Sequence, residues 1–347
     1  MIKDVLAKLT TQRELNEGEI YELVTAINND EISDVQIAGF QVALLMKGAS
    51  LDELAWFARA MRENCIPLRP KVSREMMDTC GTGGGLSTFN ISTATAILAA
   101  GAGIPVAKHG SRSISSLSGS ADVLEALGVK IDLTPPQVEK MIEEIDISFI
   151  FAPLFHPVMC KVFLPEQDLG IKTIFYTIIG PLINPSFAPR HLLGVYKPEL
   201  LDGVAYVARE LGYTRAFFVH GLDGLDEISL LGKTRINELK DGWVRTYEIA
   251  PEDFGMQRCR LDEIKTGTPA ENAETIRGVF SRSIRGARRD AIVLNSAGAL
   301  VVGGAVDDFH QGITLATELI DSGAAERKLK ELVEMSNSFG ASYTITN

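Results

Sequence analysis

The chain has 347 residues, 46% of them hydrophobic and 23% charged, and a formal net charge of −11. This length suits about two domains with a substantial core, and the composition is that of an ordinary globular protein. The acidic balance argues against a broad nucleic-acid or anionic-membrane surface, so a polyanionic ligand has to be held by a local arrangement against the global field.

Residues 1 to about 65 read as helices only. Ile20, Leu23, Val24 and Ile27 follow helical spacing. Ser33 with Gln36 forms a capping box that starts a helix carrying Ile37, Phe40, Leu44 and Leu45, and Gly48 ends it. Ser50 with Glu53 repeats the device, with Leu54, Phe57, Ala58 and Met61 as the buried stripe. These apolar faces are broad for so small a unit, so the rest of the protein or a second subunit is expected to cover them. Cys65-Ile66-Pro67-Leu68-Arg69-Pro70 reads as a linker, because two prolines stop any helix.

From about residue 71 strands alternate with helices. Met76-Met77 ends a short strand, and Ser92-Thr93 opens an Ala-rich helix from about Ala94 to Ala102. Strands are expected at Ile104–Ala107, Val129–Ile131, Ile147–Phe151, Ala216–Val219 and Ala291–Leu294. Helices are expected at Ala121–Leu127, after Thr134-Pro135, near 157–163 and at Leu200–Leu211. Thr234–Leu239 and Trp243–Ile249 form an antiparallel pair around Asp241-Gly242. The fold class is therefore α/β, a mostly parallel sheet flanked by helices, with a smaller all-helical N-terminal domain. The expected domains are 1–65 and 71–347, with a segment near 155–190 returning to the first. Cys65, Cys80, Cys160 and Cys259 lack paired spacing and read as free thiols in a reducing compartment, with no zinc site or disulfide framework. Met1-Ile2-Lys3-Asp4 lacks a signal-peptide layout and no apolar run is long enough to cross a bilayer, so the expected location is the cytoplasm.

Four stretches carry chemistry. Asp78-Thr79-Cys80-Gly81-Thr82-Gly83-Gly84-Gly85 places four glycines in five positions between a strand and a helix N-terminus. Such a backbone can lie directly against a ligand, and free N–H groups with the helix dipole favour phosphate or pyrophosphate. No Gly-Lys-Ser/Thr follows, and the glycine spacing is not that of a dinucleotide fingerprint. Lys108-His109-Gly110-Ser111-Arg112 and the serine-rich 113–120 follow another strand and suit a phosphate ester. Asp226-Glu227, after a third strand, offers an oxygen site for Mg²⁺ or a solvated surface pair. His156 in Phe155-His156-Pro157 is either a structural histidine or a substrate contact.

Together these stretches resemble the anthranilate phosphoribosyltransferase family. The matching motifs are Gly81–Gly84, Thr88–Thr93, Lys108–Arg112, Ser115-Ser116, Ser118-Gly119, Ala121–Gly128, Phe151-Ala152-Pro153, Gly180-Pro181-Leu182, Asn184-Pro185, Gly224–Glu227 and Ala270-Glu271-Asn272. They span nearly the whole chain in order. The resemblance implies a nucleoside phosphorylase/phosphoribosyltransferase-like fold, a homodimer formed by the helical domain, Mg²⁺, and 5-phosphoribosyl 1-pyrophosphate as donor. It implies that Gly81, Thr82, Gly83, Gly84, Thr88, Asn90, Ser92, Thr93, Lys108 and Ser120 bind the donor. Ser92, Asp226 and Glu227 would hold the metal, and no residue is assigned as a general base. His109, Ser111, His156, Glu166 and Tyr176 would face the acceptor.

The departures from the family lie mainly on the acceptor side. Gly85 stands where the family has Asp, in a loop one residue shorter, and Ser111 replaces an Asn. Glu166 replaces the arginine that meets the anthranilate carboxylate, and Tyr176 replaces an Asn. A carboxylate at 166 would repel anthranilate. The expected activity is transfer of 5-phosphoribose to anthranilate in tryptophan biosynthesis, or to a related aromatic acceptor. A nucleoside phosphorylase of the same fold and a non-enzymatic nucleic-acid-binding paralogue remain alternatives.

Overall fold

The computed structural model describes residues 1–113 and 117–340. The N-terminal helices are α1 (Ile2–Leu9), α2 (Glu17–Asn28), α3 (Asp34–Lys47) and α4 (Leu51–Glu63). The capping boxes at Ser33/Gln36 and Ser50/Glu53 form, and Gly48 ends α3 with φ 78°. Leu45, expected on the buried face of α3, is 46% exposed. The buried stripe is narrower than its apolar pattern.

The larger α/β domain is built on seven strands: β1 (Met77–Gly81), β2 (Val106–Gly110), β3 (Ile147–Phe151), β4 (Arg190–Gly194), β5 (Arg215–Gly221), β6 (Thr234–Lys240) and β7 (Trp243–Ile249). Their order is β3-β2-β1-β4-β5-β6-β7, parallel through β5 and antiparallel beyond it. Helices α5 (Ile91–Gly101), α6 (Ser120–Ala126), α7 (Pro135–Ile145) and α8 (Pro157–Leu169) follow in the first half. The chain builds outward from β1 to β3, then returns to β4 on the other side. The carboxyl ends of β1 and β4 therefore flank the switch point of the sheet, where an open α/β fold leaves a ligand crevice.

Several expected elements are placed differently. The first strand starts at Met77 and includes Asp78 to Gly81, and α5 begins at Ile91, ahead of Ala94. Val129–Ile131 is no strand, because the Lys130 N–H goes to Ser336 Oγ at 3.1 Å instead of to a neighbouring strand. Ala291–Leu294 lies inside the helix Ala287–Gly303, buried without interruption from Ala291 to Val302. A helix buried on every side shows no 3.6-residue periodicity and imitates a strand in sequence.

Helix α8 leaves the sheet to join the N-terminal helices. Gln41 Nε2 donates to the Val162 carbonyl at 2.7 Å. Phe175 completes an aromatic triangle with Phe40 and Phe57, with centroids 5.3–5.9 Å apart. Among the described residues no helix is long and apolar enough to cross a membrane.

Candidate active site

A cavity of about 650 Å³ opens at the switch point, lined by the glycine loop, the end of β2, the start of α6, the face of α8 and Asp226-Glu227. The loop needs its glycines for different reasons. Gly83 and Gly84 have φ of 64° and 93°, in the left-handed region. Gly81 has no such requirement, but a Cβ there would stand 2.9 Å from Asp226 Oδ2. The loop is tied down on both sides. The Thr82 N–H donates to the Gly194 carbonyl at 2.8 Å, and the Phe89 N–H to the Ile264 carbonyl at 3.1 Å. Asn90 caps α5 at the loop's far end. Its side chain is held by Ser118 at 3.0 and 3.2 Å and by Asn272 at 3.0 Å.

The deep end of the cavity has opposed charges. Lys108 is 2% exposed and its ammonium donates to the Thr79 carbonyl at 2.6 Å. Burial lowers its pKa, and the nearby Asp78 opposes that shift. Asp78, below the loop, is raised to about 6 by burial, although Lys108 and the Asn184 amide, 2.8 Å away, work against it. Across from Lys108, burial and then repulsion from Asp226 push the Glu227 carboxyl up to about 8, and burial raises Asp226 as well. The Gly83 and Ser92 N–H groups work against the rise of Asp226 and Glu227 respectively. Two desolvated carboxylates with this little cationic compensation fit a hard divalent cation that takes oxygen ligands.

At the other end, His109 and His156 meet Nε2 to Nε2 at 3.0 Å, so one ring donates and the other accepts. Burial holds both neutral, with His109 lowered to about 4 and His156 well below its ordinary value. Arg112 on the same rim is gripped by Glu125 at 2.5 and 2.9 Å and by Asp122 at 3.1 Å. Phe163 and Tyr176 stack at 6.1 Å with planes 28° apart, and both line the cavity. Lys172 Nζ lies 5.0 Å from the Tyr176 ring centroid.

Both parts of the chain match family models described as glycosyl transferase family: the helical bundle domain over residues 3–65 and the a/b domain over 73–326. The anthranilate phosphoribosyltransferase of Desulfosudis oleivorans is 46% identical over 98% of this chain and 100% of its own length. That of Acetivibrio thermocellus is 47% identical over 98% of each chain. The chain belongs to the anthranilate phosphoribosyltransferase family. Among solved structures, the Thermus thermophilus enzyme superposes with a TM-score of 0.89 at 39% identity, covering 96% of this chain and 99% of that one. The Saccharomyces cerevisiae enzyme in complex with PRPP and Mg superposes with a TM-score of 0.88 at 28% identity, covering 97% and 98%.

Most of the residues singled out from the family motifs line this one cavity: Gly81, Thr82, Gly83, Gly84, Thr88, Asn90, Ser92, Lys108 and Ser120, with His109, Ser111, His156, Tyr176, Asp226 and Glu227. Two do not. Thr93 is fully buried in the core side of α5 and its hydroxyl does not reach the cavity wall. Glu166 is 3% exposed on the far side of α8, where it accepts from Thr173 Oγ1 and, at 3.3 Å, from Gln41 Nε2. The expected repulsion between Glu166 and an acceptor carboxylate is therefore absent from the cavity wall. Ser115 and Ser116, part of the family match, lie outside the described residues. Phe163 and Lys172 were not anticipated. Their signal in the sequence is a cation four residues before Tyr176 and an aromatic within the apolar run of α8.

Proposed function

We propose that the protein transfers the 5-phosphoribosyl group from 5-phosphoribosyl 1-pyrophosphate to anthranilate, a step of tryptophan biosynthesis, and releases pyrophosphate. The observation that carries this reading is the convergence of the glycine loop, Lys108 and the Asp226-Glu227 pair at one switch-point cavity. The loop N–H groups and the N-terminus of α5 would hold the phosphates. Asp226, Glu227 and Ser92 would hold Mg²⁺, which when bound neutralises charge on the departing pyrophosphate.

The bond from the anomeric carbon to the pyrophosphate oxygen breaks, and the electron pair leaves with that oxygen. Positive charge builds on the ribose and negative charge on the leaving group, where the Lys108 ammonium stabilises it. The amine nitrogen forms the new bond with its lone pair and afterwards loses one proton to solvent. An aromatic amine is already nucleophilic when neutral, so positioning carries the step without a general base.

The domain limits 1–65 and 71–347, a cytoplasmic location and a homodimer belong to the same reading. The dimer is supported by the apolar outer side of α3 and α8, where Val35 is 82%, Met46 76% and Leu164 58% exposed. Sedimentation equilibrium showing a monomer at micromolar concentration would remove that support. The activity itself is tested by pyrophosphate release with donor, Mg²⁺ and anthranilate. No release with anthranilate or with a panel of anilines, phenols and azoles, together with no donor binding by calorimetry, would overturn it.

A further inference from the structure

Three cations line the cavity among the described residues, and two are already engaged. Lys108 sits at the deep end against the Thr79 carbonyl and faces Glu227. Arg112 is held by two carboxylates. Lys172 is the third. It is exposed at the mouth, forms no ion pair with a carboxylate among the described residues, and stands over the Tyr176 ring. The wall beside it is aromatic, with Tyr176 stacked on Phe163, and Met159 lines the same cavity. Glu166, on the same helix as Phe163 and Met159, faces Thr173 and Gln41 inside the helices and not the cavity.

We infer that Lys172 binds the carboxylate of the aromatic acceptor, whose ring lies along the Phe163–Tyr176 wall; this rests on the transferase reading above. An ammonium already at the solvent edge pairs with a carboxylate at little desolvation cost, and the Tyr176 face limits the freedom of its stem. Anthranilate carries its amine ortho to the carboxylate. Fixing the carboxylate at the rim stops the ring from turning and presents the amine inward, toward the donor half of the cavity. The family's arginine for this task is replaced at Glu166. In this chain the cation comes instead from the loop after α8.

The test is steady-state pyrophosphate release by the full chain with saturating donor and Mg²⁺. Wild type is expected to prefer anthranilate over aniline by tenfold or more in kcat/KM. Lys172→Met is expected to raise the anthranilate KM tenfold or more and to leave kcat and the donor KM within about threefold. It should also reduce the preference over aniline to near unity, while Lys172→Arg restores most of it. Lys172 is exposed, so the thermal midpoint of both variants should match wild type. A Lys172→Met enzyme with an unchanged anthranilate KM, or a wild type that uses aniline as well as anthranilate, would overturn the assignment of Lys172 and leave the transferase reading standing. A wild type silent with every acceptor and unable to bind donor would overturn both.

Discussion

Gly85 lies against Asp226 so closely that a Cβ on it would stand 2.8 Å from the carboxylate Oδ1 and 2.9 Å from the Gly224 carbonyl oxygen. Real Cβ atoms do not tolerate either distance, so the glycine loop and the acidic turn must move apart to admit any side chain. The family's aspartate at this point would also add a third carboxylate to a pair that already repel one another. Gly85→Asp is therefore expected to weaken donor binding tenfold or more, and Gly85→Ala to weaken it by less. Calorimetric titration of the donor in the presence of Mg²⁺ reads both. Wild-type affinity in Gly85→Asp would mean that the loop and the turn are not packed as described.

Asp226 and Glu227 are costly to the fold in the absence of a cation, because burial raises both pKa values and the neighbouring Asp226 raises Glu227 further. The double variant Asp226→Asn, Glu227→Gln should lose Mg²⁺-dependent donor binding. Without metal, it should melt at a higher temperature than wild type. Protons compete with the cation below the Glu227 value of about 8, so the apparent Mg²⁺ affinity should weaken as pH drops from 8 to 6. Unchanged donor affinity in the double variant would exclude this pair as the metal site.

These positions show which features were legible in the sequence. The donor half was legible because its chemistry is local: a run of glycines, a lysine after a strand and an acidic pair after another each announce themselves within a few residues. Glu166 was not legible in the same way. A motif fixes its position on α8 but not the direction of its side chain, and that depends on Gln41, which is 125 residues away in sequence. Strand β4 was missed because Arg190-His191 opens it directly after Pro189, while its burial comes from the neighbours β1 and β5. The sheet order could not be read locally either, and it is the order that brings Gly194 beside Thr82 and places the cavity.

Glu166 gives a second stability test. Replacing it with arginine, as the family pattern would invite, puts a guanidinium where Thr173 and Gln41 now donate to a carboxylate. Donors would face donors in a buried site. Glu166→Arg is expected to destabilise by about 3 kcal/mol, in the range for an uncompensated buried charge, and not to improve the anthranilate KM. Glu166→Gln keeps an acceptor for Thr173 and should cost about 1 kcal/mol. Urea denaturation separates the two. A gain in anthranilate KM for the arginine variant would show that position 166 can swing into the cavity.

His191 is fully buried beneath the site, with its Nε2 3.1 Å from Cys80 Sγ. Burial first, then His109 and Lys108, lower it to about 3 from an ordinary 6.5. The folded pKa lies below the unfolded one, so between about pH 6.5 and 3 the unfolded chain binds the extra proton. The stability this neutral ring allows is fully present above 6.5 and is lost as pH falls through that window. Asp78, raised to about 6, works in the opposite direction over part of the same range, and the lowered His109 and His156 add to the loss, so the total stability curve mixes several groups. The difference between proteins isolates the histidine. His191→Asn removes one titrating group, and its stability should fall less steeply with acid than wild type, by up to about 1.4 kcal/mol per pH unit. The slope between about pH 6 and 4 is the readout, because the height of the curve also carries the lost contact to Cys80. Equal slopes in the two proteins would mean that His191 is protonated in the folded state at about pH 4 and that its pocket takes up the charge.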